Sequence, residues 1–191
     1  TGKSVLLKHL LGLYKPSSGV ISILGKNIAD LQDSEMSSFR CNFGVLFQDA
    51  ALFDDMSTLE NVMFPINEYR KDLSYKERKE LASAKLDQVG LGKEHFNKLP
   101  SQVSGGMRKR VGLARAIALD PDIIALQEHS EWGSIEDIIQ SWFPNDDWNA
   151  SWTYGDLVVL SNFSIISPGK RKFLTFTSKI VGKIFEMKKL I

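Results

Sequence analysis

The sequence predicts an α/β fold with a largely parallel sheet, on three observations. Short apolar runs alternate with amphipathic segments through residues 1–124. The runs 43–47 and 123–126 read as buried strands. Helix-start signals stand between them, so helical crossovers join the strands. A chain of 191 residues is also long enough to bury a sizeable core.

Each element follows from local chemistry. Residues 3–11 read as a helix, with Val5, Leu6, Leu7, Leu10 and Leu11 as a broad apolar face. Pro16 and Gly19 end a turn, and 20–24 read as a strand. Asp33 or Ser34 is expected to cap a short helix before the strand at 43–47. Ser57 and Glu60 form a capping box, since hydroxyl and carboxylate can each satisfy an orphan N–H. Pro65 is expected to interrupt the segment after this box. Ser74 and Glu77 form a second box, opening a helix with Ala82, Leu86 and Val89 on one face and Gly90 as its stop. Ser104 begins a helix with Met107, Val111, Ala114 and Ile117 at helical spacing. Pro121 ends the next connection and leads into the strand at 123–126.

The 24 Lys plus Arg balance 23 Asp plus Glu to a net charge of +1, which excludes a strongly basic nucleic-acid binder on composition. The single Cys41 cannot form an intramolecular disulfide and points to a reducing compartment. No apolar run approaches about 18 residues, so no membrane-spanning helix is expected. The balance is uneven along the chain. Residues 125–168 hold seven acids, no Lys or Arg and all four tryptophans, whereas 169–191 hold seven Lys or Arg against Glu186 alone. The break divides the chain into a core, 1–124, and a tail of different character, 125–191. Within the tail, 157–161 reads as a strand and 178–190 as a short basic amphipathic helix with Ile180, Ile184 and Met187 on one side.

Three sites carry chemistry. Thr1-Gly2-Lys3-Ser4 opens the first helix. In a phosphate-binding loop the glycine admits the backbone to phosphate, the lysine neutralises the β- and γ-phosphates, and the hydroxyl ligates Mg²⁺. The helix behind them aims its N–H groups at the same anion. A lysine there is otherwise mildly unfavourable electrostatically. Gln48 directly follows the strand 43–47, where a neutral amide can reach a metal-bound water and a moving loop. Ser104-Gly105-Gly106-Met107 precedes Arg108-Lys109-Arg110. Two glycines at a helix start cost roughly 1 kcal/mol each against Ala if they lie inside the helix. They make sense where bare N–H groups must approach an anion, with the hydroxyl as a further donor and the basic residues adding positive potential.

As an ordered set, these residues resemble the nucleotide-binding subunits of ABC transporters. Gly2-Lys3-Ser4 is similar to the end of Walker A, Gln48 to the Q-loop glutamine, and Val103-Ser104-Gly105-Gly106-Met107 to the signature motif. Residues 47–54, 60–65 and 105–115 further resemble the Mla-type (maintenance of lipid asymmetry) ATPases, which energise phospholipid movement between bacterial membranes. The resemblance implies a P-loop NTPase-type sheet with a helical subdomain carrying the signature, the N-terminal strands being missing from this chain. It implies ATP and Mg²⁺ as cofactors: Gly2, Lys3 and Ser4 on the phosphates, Ser4 and Gln48 on the metal, and Gln48 and Glu128 in catalysis. Ser104, Gly105 and Gly106 close over the ATP of a second copy in a homodimer. Residues 50–65 are expected near a membrane permease. The implied location is peripheral, on the cytoplasmic face of the bacterial inner membrane, with no nucleic-acid partner. DNA-repair ATPases share the Ser-Gly-Gly signature but insert long coiled coils where only 55 residues separate Gln48 from Ser104.

The tail departs from the pattern. Gln127 and Glu128 stand where Walker B ends in Asp-Glu, His129-Ser130 where Pro-Thr is expected, and Asn162 where a switch histidine should follow the strand at 157–161. Either the tail has diverged, or the reading frame breaks near residue 125. Motif loss coincides with the charge and Trp discontinuity, which favours the second account. The resulting expectation is an ATP-binding subunit of a phospholipid transporter by descent, with weak or absent hydrolysis. The alternative is a catalytically impaired nucleotide-binding module or gene fragment.

Overall fold

The computed structural model describes residues 2–47, 50–127, 149–154, 157–161, 165–166 and 185–188. Helix α1 (Gly2–Leu10) leads to the short strands β1 (Val20–Ile23) and β2 (Lys26–Asn27). Helix α2 (Asp33–Arg40) and strand β3 (Phe43–Leu46) follow. A helical layer comes next: α3 (Thr58–Tyr69), α4 (Tyr75–Gln88), two 3₁₀ turns and α5 (Gly105–Ala116). The chain then enters β4 (Ile123–Gln127), followed by β5 (Asn149–Tyr154), β6 (Leu157–Ser161), β7 (Ile165–Ile166) and β8 (Phe185–Lys188).

The helical crossover does what the alternation predicts: β4 returns parallel to β3, with Phe43 opposite Ile123 and Leu46 opposite Leu126. Strand β6 extends the sheet antiparallel to β4, and β5 pairs antiparallel with β6. A second sheet runs in the order β2-β1-β8-β7, with β1 antiparallel to both its neighbours. Residues 185–188 are thus a strand, in place of the helix expected over 178–190. The sequence Phe-Glu-Met-Lys alternates with period two, and the backbone of β1 supplies a hydrogen-bonding edge. The strand expected at 157–161 is β6.

The helical layer forms the main core. Val62 and Ile66 of α3, Ala82 and Leu86 of α4, and Val111 and Leu113 of α5 are fully buried, in one cluster with Leu46, Ile124 and Leu126 of the parallel strands. Burying one such Leu or Ile contributes roughly 1.5–3 kcal/mol. Both capping boxes form: Ser57 Oγ accepts the Glu60 N–H, and Ser74 Oγ accepts the Glu77 N–H. Each carboxylate accepts the serine N–H in return, and the serine hydroxyl first, with that N–H second, holds Glu60 and Glu77 below the usual carboxylate pKa. Helix α4 ends as expected at Gly90 (φ +71), with Leu91 N–H bonded to the Leu86 carbonyl.

Three local expectations are corrected. Helix α3 runs through Pro65, even though the ring removes the N–H that the Asn61 carbonyl needs. Buried Val62, Met63 and Ile66 flank the proline and hold both halves of the helix to the core. The cap of α2 is Gln32, one residue earlier than Asp33, and the Glu35 carboxylate accepts its N–H at 3.0 Å. The apolar face of α1 is narrower than the sequence pattern: Leu7 and Leu10 are buried, Leu11 is half-buried, and Val5 is exposed.

Candidate functional site

Helix α1 begins at Gly2, which puts Gly2, Lys3 and Ser4 in its first turn. That turn contains no acidic residue to compete for its free N–H groups, while Lys8 and His9 lie in the last turn, where the macrodipole favours cations. The direction of α1 follows from its contacts. Leu10 packs in the cluster containing Ile123, and Leu7, one turn earlier, packs against Ala125. Helix and strand therefore run antiparallel, three helical residues rising about 4.5 Å beside two strand residues that rise about 6.6 Å. One further turn brings the backbone of Lys3 and Ser4 level with the carboxyl ends of β3 and β4. Those are the ends where β3 passes to Phe47 and β4 finishes at Gln127, and the edge at which open α/β sheets bind ligands. Gln48 and Glu128 lie outside the described residues, and the side chains of Lys3, Ser4 and Gln127 do too.

The second element is the start of α5. Ser104 is its N-cap, with Oγ accepting the Met107 N–H at 3.3 Å and the hydroxyl proton left to donate elsewhere. Gly105 and Gly106 occupy the first two helical positions and are exposed. Of the basic residues after them, Arg108 donates to the Val103 carbonyl at 3.0 Å and so braces the turn before Ser104. Arg110 turns away to the end of α4, donating to the carbonyls of Val89 (3.2 Å) and Gly90 (3.0 Å). The positive potential expected from all three is thus partly spent on structure. Arg110 is a cation on a helix C-terminus.

Between these elements lie two buried polar residues, Thr58 and Asn61, which no motif in the sequence singles out. The Thr58 hydroxyl lies 2.8 Å from the His95 carbonyl and 3.0 Å from that of Phe96, and its N–H donates to Lys98. It ties α3 to the loop that leads to Ser104. Asn61 does the same for the loop after Gln48. Its Oδ1 accepts the Phe53 N–H at 2.9 Å, and its Nδ2 faces the carbonyls of Phe53, Met56 and Ser57 at 3.0–3.1 Å. Arg115, in the last turn of α5, donates to the Ala50 carbonyl at 2.6 Å. Helix α5 approaches Ala50 closely because residue 112 is glycine; a Cβ there would lie 2.7 Å from that of Ala50. On the outer side of this loop, Phe47, Phe53, Phe64, Pro65 and Arg115 line a groove of about 350 Å³. Phe53 and Phe64 stack with centroids 4.8 Å apart, and both are exposed.

Comparisons with known proteins bear on the family of the chain. The ABC transporter family model matches residues 1–130. The probable ribonucleotide transport ATP-binding protein mkl of Mycobacterium leprae is 48% identical over 128 residues, which cover 67% of this chain and 36% of that protein. The intermembrane phospholipid transport system ATP-binding protein MlaF of Haemophilus influenzae is 43% identical over 127 residues, 66% of this chain and 47% of that protein. The chain thus spans less than half the length of either relative. The dimeric structure of the ATP-binding cassette MJ0796, in a post-hydrolysis state bound to ADP and Pi, is 34% identical with a TM-score of 0.63, covering 73% of this chain and 62% of that one. With residues 1–130 matched by its model, the chain belongs to the ABC transporter family, among the ATP-binding subunits.

Proposed function

We propose that this chain is the ATP-binding subunit of an ABC transporter and couples ATP binding and hydrolysis to phospholipid transport through a membrane permease. The observation that carries the reading is the start of α5. A Cβ on Gly106 would meet nothing within 4 Å, and one on Gly105 only Arg108 Nη2 at 3.7 Å. Neither glycine has a positive φ. Packing and backbone conformation therefore do not require them, although each costs about 0.5–1 kcal/mol against alanine inside a helix. A ligand that approaches the bare N–H groups explains them.

In this mechanism Lys3 neutralises the β- and γ-phosphates, and Gly2 lets the backbone of α1 approach them. Ser104, Gly105 and Gly106 cover the nucleotide held by a second copy. Neither half alone neutralises a triphosphate, so ATP joins the two copies and hydrolysis releases them. Mg²⁺ supplies charge neutralisation on the phosphates when bound. The Ser4 hydroxyl and Gln48 amide are hard oxygen donors suited to it, and P-loop sites take much of their Mg²⁺ coordination from phosphate and water. The final residue of β4 is Gln127, so that strand ends on an amide where the resemblance expects a carboxylate. Glu128 is the remaining candidate base. The groove at Phe47, Phe53 and Phe64 is the proposed seat of the permease, and the proposed location is peripheral, on the cytoplasmic face of the membrane. Among the described residues no helix is long and apolar enough to cross a membrane. Phospholipid is preferred as cargo from residues 47–54, 60–65 and 105–115. The two relatives differ here, one named for ribonucleotide and the other for phospholipid transport.

Gln127 favours a second reading, a nucleotide-binding module with impaired catalysis. With Mg-ATP the 191-residue chain is expected to bind nucleotide but to turn over at least about 100-fold more slowly than an intact MlaF-type subunit assayed beside it. Gln127→Asp is expected to strengthen Mg²⁺-dependent binding. Turnover equal to the intact subunit's would remove the impaired reading, and failure to bind ATP would overturn the proposal itself.

A further inference from the structure

One inference goes beyond this function and rests on it. We propose that Arg115, acting with Asn61, is a positioning residue for the nucleotide-site loop after Gln48. Its guanidinium, mounted on α5, sets the turn at Ala50 and Ala51 and thereby the discrimination between ATP and ADP.

The turn needs holding. Ala50 (φ +62) and Ala51 (φ +45) are consecutive left-handed residues, and neither is glycine. A Cβ disfavours that conformation, so it persists only where the surroundings impose it. Three contacts impose it here. Arg115 Nη2 donates to the Ala50 carbonyl at 2.6 Å. Ala50 is 1% exposed and sits in the space left by Gly112. Asn61 fixes the far side of the loop through Phe53, Met56 and Ser57, and its Oδ1 lies 3.5 Å from Arg115 Nη1. The Arg115 guanidinium also lies over the Phe53 ring, 5.6 Å from its centroid. Among the described residues these partners are a carbonyl, an amide and a ring, all neutral. Burial lowers the Arg115 pKa. A simple filler at this position would avoid the cost of desolvating a cation.

The helix supplies the link. Ser104 caps α5 and Arg115 lies in its last turn. Eleven residues of helix separate them by roughly 16 Å of rigid rod. Any displacement of α5 when a nucleotide seats on Ser104, Gly105 and Gly106 also moves the group that holds Ala50, two positions beyond Gln48. The nucleotide at one half-site is thereby sensed in the loop of the other.

The test measures Kd for Mg-ATP and Mg-ADP by titration calorimetry on the 191-residue chain, in a cycle of Arg115→Met, Gln48→Ala and the double variant. Each single change is expected to lower the ATP-to-ADP preference by about tenfold, and the double variant to lower it no further, because the two act through one loop. Arg115→Lys keeps the buried charge but loses the two-pronged donor. Its preference is expected to fall about threefold, an outcome that decides the matter if Arg115→Met does not fold. An unchanged preference in a folded Arg115 variant, or losses that multiply in the double variant, would overturn this proposal alone. A wild-type chain that binds neither nucleotide would overturn it together with the function it rests on.

Discussion

Lys3→Ala is expected to weaken Mg-ATP binding by about 100-fold. A hydrogen bond assisted by charge is worth about 1.5–3 kcal/mol, and two decades in Kd correspond to about 2.7 kcal/mol. The expectation rests on direction as well as residue type. The contacts of Leu7 with Ala125, and of Leu10 in the Ile123 cluster, turn the amino end of α1 toward the carboxyl ends of β3 and β4. Lys8 provides the control. It sits in the last turn of the same helix, where its Nζ lies 3.4 Å from the Tyr14 hydroxyl. Lys8→Ala is expected to leave the nucleotide Kd unchanged. Equal losses in both variants would mean that general positive charge, rather than a phosphate site, governs binding.

Gly44→Ala is expected to destabilise the fold by about 3 kcal/mol, lowering the melting temperature by roughly 6–12 °C. Strand β3 and the end of α5 meet at this residue without a side chain between them. A Cβ there would lie 2.4 Å from the Ala116 carbonyl oxygen and 3.1 Å from Pro121 Cγ. The first of these neighbours is backbone, which cannot rotate away as a side chain does. Relief would require β3 and α5 to separate, opening the core that holds Leu46 and Leu113. Gly106→Ala is the counterpart, since its Cβ enters open space. Its melting temperature should not fall, and only nucleotide-dependent behaviour should suffer. A normal melting transition for Gly44→Ala, followed by calorimetry or circular dichroism, would show that β3 and α5 can separate there at little cost.

Local signals were the legible part of this sequence. Ser57, Ser74 and Ser104 announce helix starts because each satisfies an N–H three residues away, and all three are N-caps in the structure. The parallel pairing of β3 with β4 was legible because only a helical crossover fits between them. Long-range partnerships were not legible. Arg115 closes the stretch 105–115 that resembles the family, but the sequence names no partner for it, and its acceptor is Ala50, 65 positions away. Thr58 and Asn61 look like ordinary residues of an amphipathic helix, and only burial shows that each anchors a loop. Pro65 misled because its local cost was visible and the burial of Val62, Met63 and Ile66 was not. Residues 185–188 misled because a four-residue segment satisfies either period, and the edge of β1 decides.

The proposed function requires a triphosphate gripped by α1 of one copy and covered by the Ser104 turn of another. Sedimentation of Lys3→Ala and Ser104→Arg, each alone and then mixed, decides whether two copies share the nucleotide in this way. With Mg-ATP the wild-type chain should sediment as a dimer, and each variant alone as a monomer. The equimolar mixture should regain a dimer, because one of its two composite sites pairs an intact Lys3 with an intact Ser104. A mixture that stays monomeric beside a dimeric wild type, or a dimer that forms equally well without nucleotide, would exclude a nucleotide shared between two copies.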